Sequence, residues 1–135
     1  MATNTAGTAA RQLPFQAVHY LRRDFTFADD GLTLTLGIIP AGAIVVRVGV
    51  VVSTAFNAGS TNVLNIGTVA DPDGYATEYA LGTVGVITGD SAIATSDEGY
   101  VTVDTTIVGA VDLTGTAATT GVGHIFVEFI PDNDL

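Results

Sequence analysis

Asp71 and Asp73 have the spacing in this sequence that comes nearest to a metal site. Their carboxylates lie two residues apart, and oxygen ligands at that spacing can converge on a hard cation such as Ca²⁺. A complete calcium loop also has a glutamate at its twelfth position, where this chain has Gly82. Pro72 and Gly74 complete the pattern Asp-Pro-Asp-Gly, which is typical of a plain β-turn. We favour the turn, keep the two aspartates as a calcium alternative, and expect no cofactor.

Tyr75 and Tyr79 follow this turn and suggest a second chemistry, the stacking of a sugar ring on an aromatic face. The sequence has no tryptophan, so a sugar site here would depend on these two tyrosines. Together with Asp71 and Asp73 they would form a carbohydrate- or calcium-binding recognition module. This module is the alternative function.

His19 and His124 are the only histidines, and neither lies in a motif of nucleophilic catalysis. The sequence has no Gly-X-Ser-X-Gly elbow, no His-Glu-X-X-His motif and no phosphate-binding glycine loop. First and last strands of a sandwich often pair, which could bring the two histidines together, but a lone histidine in a strand is more often structural. We therefore expect a protein that is not an enzyme.

The charge of the chain argues against nucleic acid as a partner. The net charge is -10, there is no lysine, and the four arginines all lie within the first 47 of the 135 residues, at Arg11, Arg22, Arg23 and Arg47. A basic patch that could neutralise phosphates cannot be assembled after Arg47. The chain has no cysteine, its N-terminus lacks the basic and apolar regions of a secretory signal, and no apolar run is long enough to span a membrane. We expect neither nucleic acid nor membrane as a partner.

The elements that must position these residues are strands. Residues 1–14 are small and polar and read as a flexible arm, and residues 15–135 read as one domain. Alternating apolar residues and Gly/Pro/Asp turns predict about seven or eight strands. The predicted segments are 18–27, 32–38, 43–56, 63–69, 77–86 (strand or short helical turn), 100–111 and 124–130, with a hairpin-type turn at 29–31. The pattern favours an all-β, antiparallel β-sandwich of jelly-roll or Greek-key type.

The segment Ala43–Phe56 is apolar on both faces of the predicted strand. Alternation places Val48 on one face and Val45 and Val51 on the other, with Arg47 as the only charge. The residues expected on the same face as Val48 are Ile44, Val46, Val50 and Val52. In the preceding strand, the residues expected on one common face are Leu32, Leu34, Leu36 and Ile38. A long valine-rich strand open to water would promote aggregation, so we expect a second sheet to cover one face and another subunit the other.

Residues 38–75 resemble small structural proteins of tailed-bacteriophage virions. The resemblance lies in the strings Ile39-Pro40-Ala41-Gly42-Ala43-Ile44-Val45-Val46, Val50-Val51-Val52-Ser53-Thr54-Ala55-Phe56-Asn57, Leu64-Asn65-Ile66-Gly67-Thr68 and Asp71-Pro72-Asp73-Gly74. That family contains β-sandwich cement or decoration proteins of capsids, commonly trimers, and related modules in tails and fibres. The resemblance implies a location on the capsid exterior and a partnership with the major capsid protein and with copies of this chain.

These expectations assign residues to two surfaces. The trimer interface is predicted at Val45, Arg47, Val51 and Ser53. The capsid-binding residues are predicted in the arm and the first strand, at Thr3, Thr5, Thr8, Arg11, Gln12, Phe15, Arg22 and Arg23. The alternative module, with Asp71, Asp73, Tyr75 and Tyr79, would then belong to a phage tail or fibre.

Overall fold

The computed structural model describes residues 18–89 and 99–132. The predicted boundary between arm and domain, after residue 14, lies outside these residues and stays a prediction. The strands are β1 (His19–Thr26), β2 (Thr33–Ile39), β3 (Ile44–Thr54), β4 (Thr61–Thr68), β5 (Ala76–Ala80), β6 (Gly85–Thr88), β7 (Thr105–Thr114) and β8 (Val122–Ile130).

The strands form two four-stranded sheets that pack face to face. Sheet I has the order β1-β8-β3-β6 and sheet II the order β2-β7-β4-β5, and neighbouring strands are antiparallel. Eight strands in this order form a jelly roll. The all-β, antiparallel sandwich expected from the sequence is therefore confirmed.

The core lies between the sheets and consists of inward-facing side chains from both. Its fully buried members include Phe25, Val48, Val50, Val52, Leu64, Ile66, Tyr75, Leu81, Ile107, Ile125 and Val127. Their burial, at about 25 cal/mol per Å² of apolar surface, supplies the main favourable term in folding.

A β-bulge in β3 changes the faces expected for the valine-rich strand. Val45 pairs with Phe129 and Arg47 with Glu128, so Val46 is an extra residue without a partner on β8. Val45, which is 2% exposed, therefore lies in the core with Val48, whereas Val46 faces outward. The expectation that Val46 and Val48 share a face, with Val45 opposite, is wrong.

A second bulge has the same effect in β2. The register with β7 shifts between Thr35 and Gly37, which leaves Leu36 as the extra residue. Leu34 and Ile39 are buried, while Ile38 is exposed. The expected common face of Leu34 and Ile38 is therefore wrong, because strict alternation holds only where no residue is inserted.

The hairpin-type turn predicted at 29–31 and the single element predicted at 77–86, a strand or a short helical turn, both differ from the structure. The hairpin-type turn at 29–31 instead carries the chain from β1 in sheet I to β2 in sheet II, after a 3-10 turn at Phe27–Asp29. Thr26 caps this turn, since its hydroxyl accepts a hydrogen bond from the Ala28 N–H and the Asp29 carboxylate accepts one from the Thr26 N–H. The segment 77–86 contains the end of β5 and the start of β6, which lie in different sheets.

The connections divide into two sets at opposite ends of the sandwich. We call one end the open end; it carries Val18, the loops 40–43, 69–75 and 99–104, and residues 131–132. We call the other the closed end; it carries the loops 27–32, 55–60, 81–84 and 115–121. Antiparallel pairing fixes this division, because each strand enters at one end and leaves at the other.

Candidate interaction surfaces

Of the predicted capsid-binding residues, the structure describes Arg22 and Arg23, while the five arm residues and Phe15 lie outside the described part of the chain. The two arginines are adjacent on β1 but point in different directions. Arg22 Nε donates to the Asp24 carboxylate at 3.1 Å on the outer face of sheet I. Arg23 Nη1 donates to the Thr35 carbonyl at 3.4 Å and so links β1 to the other sheet. The two therefore do not form one basic patch.

Three of the four predicted trimer residues lie on the outer face of sheet I. Arg47, Val51 and Ser53 point away from the core, whereas Val45 is enclosed within it. Val45 has no exposed surface to offer a partner, so its assignment to an interface is corrected. The cause is the bulge at Val46, which reverses the alternation between Val45 and Arg47.

Arg47 is already paired within its own subunit. Its Nη2 donates to Glu128 Oε1 at 2.6 Å across the β3–β8 pair. The hydrogen bond and the nearby negative charge raise the pKa of the Arg47 guanidinium above its ordinary value. Ser53 also has an internal partner, because its hydroxyl donates to the Val122 carbonyl at 3.1 Å.

Phe126 is the most prominent residue of this face that sequence patterning missed. It pairs with Gly49 on β3 and with Arg22 on β1. Gly49 has no side chain, and a Cβ placed there would overlap the Phe126 ring, which therefore lies over the strand at this position. Val51 lies two residues along β3 from Gly49 and pairs with Val86 of β6. A glycine inside a valine-rich strand is the signal that marks this close approach.

His124 lies on the same face, opposite Asp24 of β1 and Val51 of β3. Partial burial, helped by the charge of Arg22, lowers the pKa of its imidazole, while Asp24 acts in the opposite direction. β1 and β8 do pair, but His19 pairs with Phe129, five register positions from His124. At about 3.4 Å per residue the two histidines lie roughly 17 Å apart along the strands and cannot act together.

The segment around Asp71 forms the turn that its sequence predicts. The Asp71 carbonyl accepts hydrogen bonds from the N–H groups of Gly74, at 3.1 Å, and Thr68, at 2.9 Å. The turn folds over Gly67, where a Cβ would overlap the Asp71 carbonyl and Pro72. Within residues 18–89 and 99–132, no group of three or more His, Cys, Asp or Glu side chains is arranged to hold a metal ion.

Tyr75 and Tyr79 cannot form the sugar-stacking platform of the alternative module. Tyr75 is fully buried and Tyr79 nearly so, because both point into the core between the sheets. Stacking a sugar needs an open ring face, which neither side chain offers. This part of the alternative function is therefore wrong.

Hydrogen bonds join the loops 55–60 and 115–121 of the closed end. Asn57 Nδ2 donates to Thr119 Oγ1 at 2.9 Å, and Asn57 Oδ1 accepts from the N–H groups of Thr119 and Thr120, at 2.8 and 3.1 Å. Thr120 Oγ1 donates to the Ala55 carbonyl at 3.0 Å. Beneath these loops the rings of Phe25 and Phe56 stack with centroids 5.4 Å apart.

The described residues contain no helix of the length and apolarity needed to cross a membrane. No family model matches the sequence, and a search of curated proteins returned no match.

The fold, in contrast, is similar to that of chains in three phage capsid structures. A chain of the cyanophage Pam1 capsid asymmetric unit matches 96% of this chain and 98% of its own length, with a TM-score of 0.65 and 21% identity. A chain of the Ralstonia phage GP4 capsid matches 97% of this chain and 90% of its own length, with a TM-score of 0.59 and 20% identity. A chain of the acid-stable capsid of the Helicobacter pylori bacteriophage KHP30 matches 86% of this chain and 89% of its own length, with a TM-score of 0.51 and 20% identity. The protein thus shares its jelly roll, over nearly its whole length, with chains of phage capsids.

Proposed function

We propose that this protein is a capsid decoration, or cement, protein that binds the outside of a phage head as a homotrimer and stabilises the shell. The observation that carries the proposal is the match of nearly the whole chain to chains of phage capsid structures. The bacteriophage resemblance of residues 38–75 points the same way. The role is structural and non-enzymatic.

The proposed mechanism is mechanical. A protein that spans neighbouring capsid subunits adds buried area across their junctions, and these contacts must break before the shell opens. A stable attachment of this kind buries more than about 1,000 Å². The arm residues, with Arg22 and Arg23, are proposed to contribute to this attachment, because a segment that extends beyond a compact domain can reach across a subunit boundary.

The outer face of sheet I is the proposed trimer interface. Its centre contains Phe126, which lies over Gly49, and the cross-strand pair Val51–Val86, with His124 opposite Val51 on β8. The charges beside this centre are paired within the subunit, Arg47 with Glu128 and Arg22 with Asp24. Internal pairing lowers the cost of bringing copies together around a three-fold axis, since no unpaired charge has to be desolvated.

Sedimentation of the isolated protein tests the trimer. Val86→Asp places a charge in the proposed interface, and Leu32→Asp places the same charge at a similarly exposed position at the closed end, the exposures being 66% and 55%. We expect the wild type and Leu32→Asp to sediment as trimers and Val86→Asp as a monomer. A wild type that sediments as a monomer at micromolar concentration contradicts the trimer.

Capsid attachment is tested with heads of the phage whose genome encodes this chain, prepared without the protein. Adding the purified protein should decorate the outside of these heads and raise the temperature at which they release DNA. Heads that take up no protein, or take it up without any gain in stability, contradict the proposed function.

A further inference from the structure

The exposed apolar side chains of this protein are unevenly distributed. Among residues 18–89 and 99–132, nine of the fourteen large apolar side chains that remain exposed lie at or beside the open end. They are Val18, Tyr20, Ile38, Ile44, Val46, Val69, Tyr100, Val103 and Ile130. Scattered single apolar residues are ordinary on a protein surface, but a group of this size at one place marks an interaction site.

Strand pairing makes part of this group continuous. Ile44 lies between Ile130 of β8 and Tyr100, with which it forms an isolated bridge. Continuing the β1–β8 register by one residue places Val18 beside Ile130. A row of four exposed apolar side chains therefore crosses the end of sheet I.

A groove of about 410 Å³ continues this row past Tyr100. Its lining includes Val69 and Tyr100 and the polar residues Thr68, Asp104 and Thr106. Asp104 Oδ1 accepts a hydrogen bond from the Ala41 N–H at 2.9 Å, which fixes the carboxylate in the groove wall. The groove thus joins an apolar entrance to an anionic wall.

The charges of the open end all have one sign. Its described loops carry the carboxylates of Asp71, Asp73, Asp104 and Asp132 and, within those loops, no arginine. The complement of this surface is an apolar centre with a rim of Arg or Lys. A second copy of this chain fits poorly, since its own open end carries the same negative rim and Arg47, the described arginine that follows Val46, is already paired with Glu128.

The remainder of the chain joins the domain at this end as well. Residues 1–17 connect at Val18, beside the apolar row, and residues 133–135 follow Asp132. The described part of the chain therefore starts at the apolar surface, with Val18. Arm and surface would meet the same partner.

We infer that the open end is the surface that docks onto the capsid protein, on a patch with an apolar centre and a basic rim, with a partner side chain inserted in the groove between Val69 and Tyr100. The closed end then faces away from the shell. This inference rests on the proposed function and adds the orientation of the protein and the chemistry of the surface it recognises.

Two matched double variants test it. Val69→Ser/Val103→Ser removes two exposed valines of the open end, which are 70% and 66% exposed. Leu32→Ser/Val84→Ser removes two residues of the closed end, which are 55% and 61% exposed. Because all four positions are exposed, both variants should fold, which thermal unfolding will verify.

The readout is the Kd for heads of the encoding phage prepared without this protein. We expect the open-end variant to raise Kd about tenfold or more and the closed-end variant to leave it within about twofold. Added salt should weaken the attachment of the wild type, since the rim charges are exposed and screened.

Three results would overturn the inference, each in a distinguishable way. Equal Kd values for the two variants and the wild type would overturn the docking surface while leaving the proposed function standing. A smaller sedimentation coefficient of the free open-end variant would show that this surface covers a second copy instead. A wild type that does not bind heads would remove the proposed function, and the inference with it.

Discussion

The closed and open ends of this jelly roll differ most in how many apolar side chains they expose. At the closed end, the loops 55–60 and 115–121 are joined by hydrogen bonds, and the Asn57 side chain bonds to both Thr119 and Thr120. At the open end, apolar side chains such as Val69 and Tyr100 face outward. The loops of the open end are hydrogen-bonded to one another as well, since the Gly42 N–H donates to the Val101 carbonyl at 2.7 Å. The two ends therefore differ in the amount of exposed apolar surface, with nine of the fourteen exposed large apolar side chains of the described residues at or beside the open end and five at or beside the closed end.

The two ends should therefore respond differently to substitution. Changes to the buried or hydrogen-bonded residues of the closed end should lower the free energy of unfolding and leave attachment to heads unchanged. Changes to the exposed apolar residues of the open end should weaken attachment to heads and leave the free energy of unfolding nearly unchanged.

Phe56→Ala should have the largest effect on stability. The side chain is buried beneath the closed end and stacks on Phe25, so its removal leaves a cavity and destabilises the fold by about 3–5 kcal/mol. Tyr100→Ala, at 59% exposure, should change the free energy of unfolding by less than about 1 kcal/mol. Urea unfolding of both variants measures the difference, and equal losses would contradict the contrast between the ends.

Asn57→Ala should destabilise by a smaller amount. It removes the hydrogen bonds that join loop 55–60 to loop 115–121, and about 1–2 kcal/mol is expected because water can replace part of them. Asn57→Asp keeps the acceptor for both backbone N–H groups and should lose less. If the two variants unfold at the same urea concentration, the side-chain oxygen is not what holds the loops together.

Deleting residues 1–14 should act on attachment and not on the fold. The domain described from Val18 onward contains the sandwich core, so the thermal midpoint should stay near that of the wild type. The Kd for heads should rise about tenfold if the arm adds to the open-end surface. Unchanged occupancy on heads would show that the arm does not contribute.

A modest pH effect should be traceable to His124. Its pKa is lowered by burial and by Arg22, so the unfolded chain binds more protons than the folded chain near the ordinary histidine pKa of about 6.5. The free energy of unfolding therefore falls as pH drops through that value toward the lower, folded-state pKa. Thermal midpoints of the wild type and His124→Gln across this range provide the test. Parallel losses in both proteins would exclude His124 as the source.

Much of the fold was predictable because strands and turns leave local signals. The alternation around Leu34, the valine run of β3 and the turn at 71–74 predict an antiparallel sandwich, which the structure confirms. The faces of β2 and β3 were mispredicted beyond the bulges at Leu36 and Val46. A bulge inserts one residue without any mark in composition, and it moved Val45 from a predicted interface into the core.

The surfaces were less predictable than the strands because they depend on long-range pairing. Nothing in the local sequence shows that Ile44, Ile130 and Tyr100 are neighbours, since strand pairing brings them together from distant parts of the chain. The tyrosines near Asp71 show that residues close together in sequence need not form a shared surface site. Their spacing fits a sugar site, but Tyr75 and Tyr79 are core residues whose burial only the packing of the two sheets reveals.

The orientation of the protein on a decorated head tests the proposed docking most directly. Electron cryomicroscopy of heads of the encoding phage, bound to the purified protein, would resolve which end of the jelly roll contacts the shell. The predicted result is the open end, with Val69, Val103 and Tyr100 at the contact and the Asn57 loop pointing outward. A reconstruction in which the closed end contacts the shell, and the open end faces solvent, would contradict it.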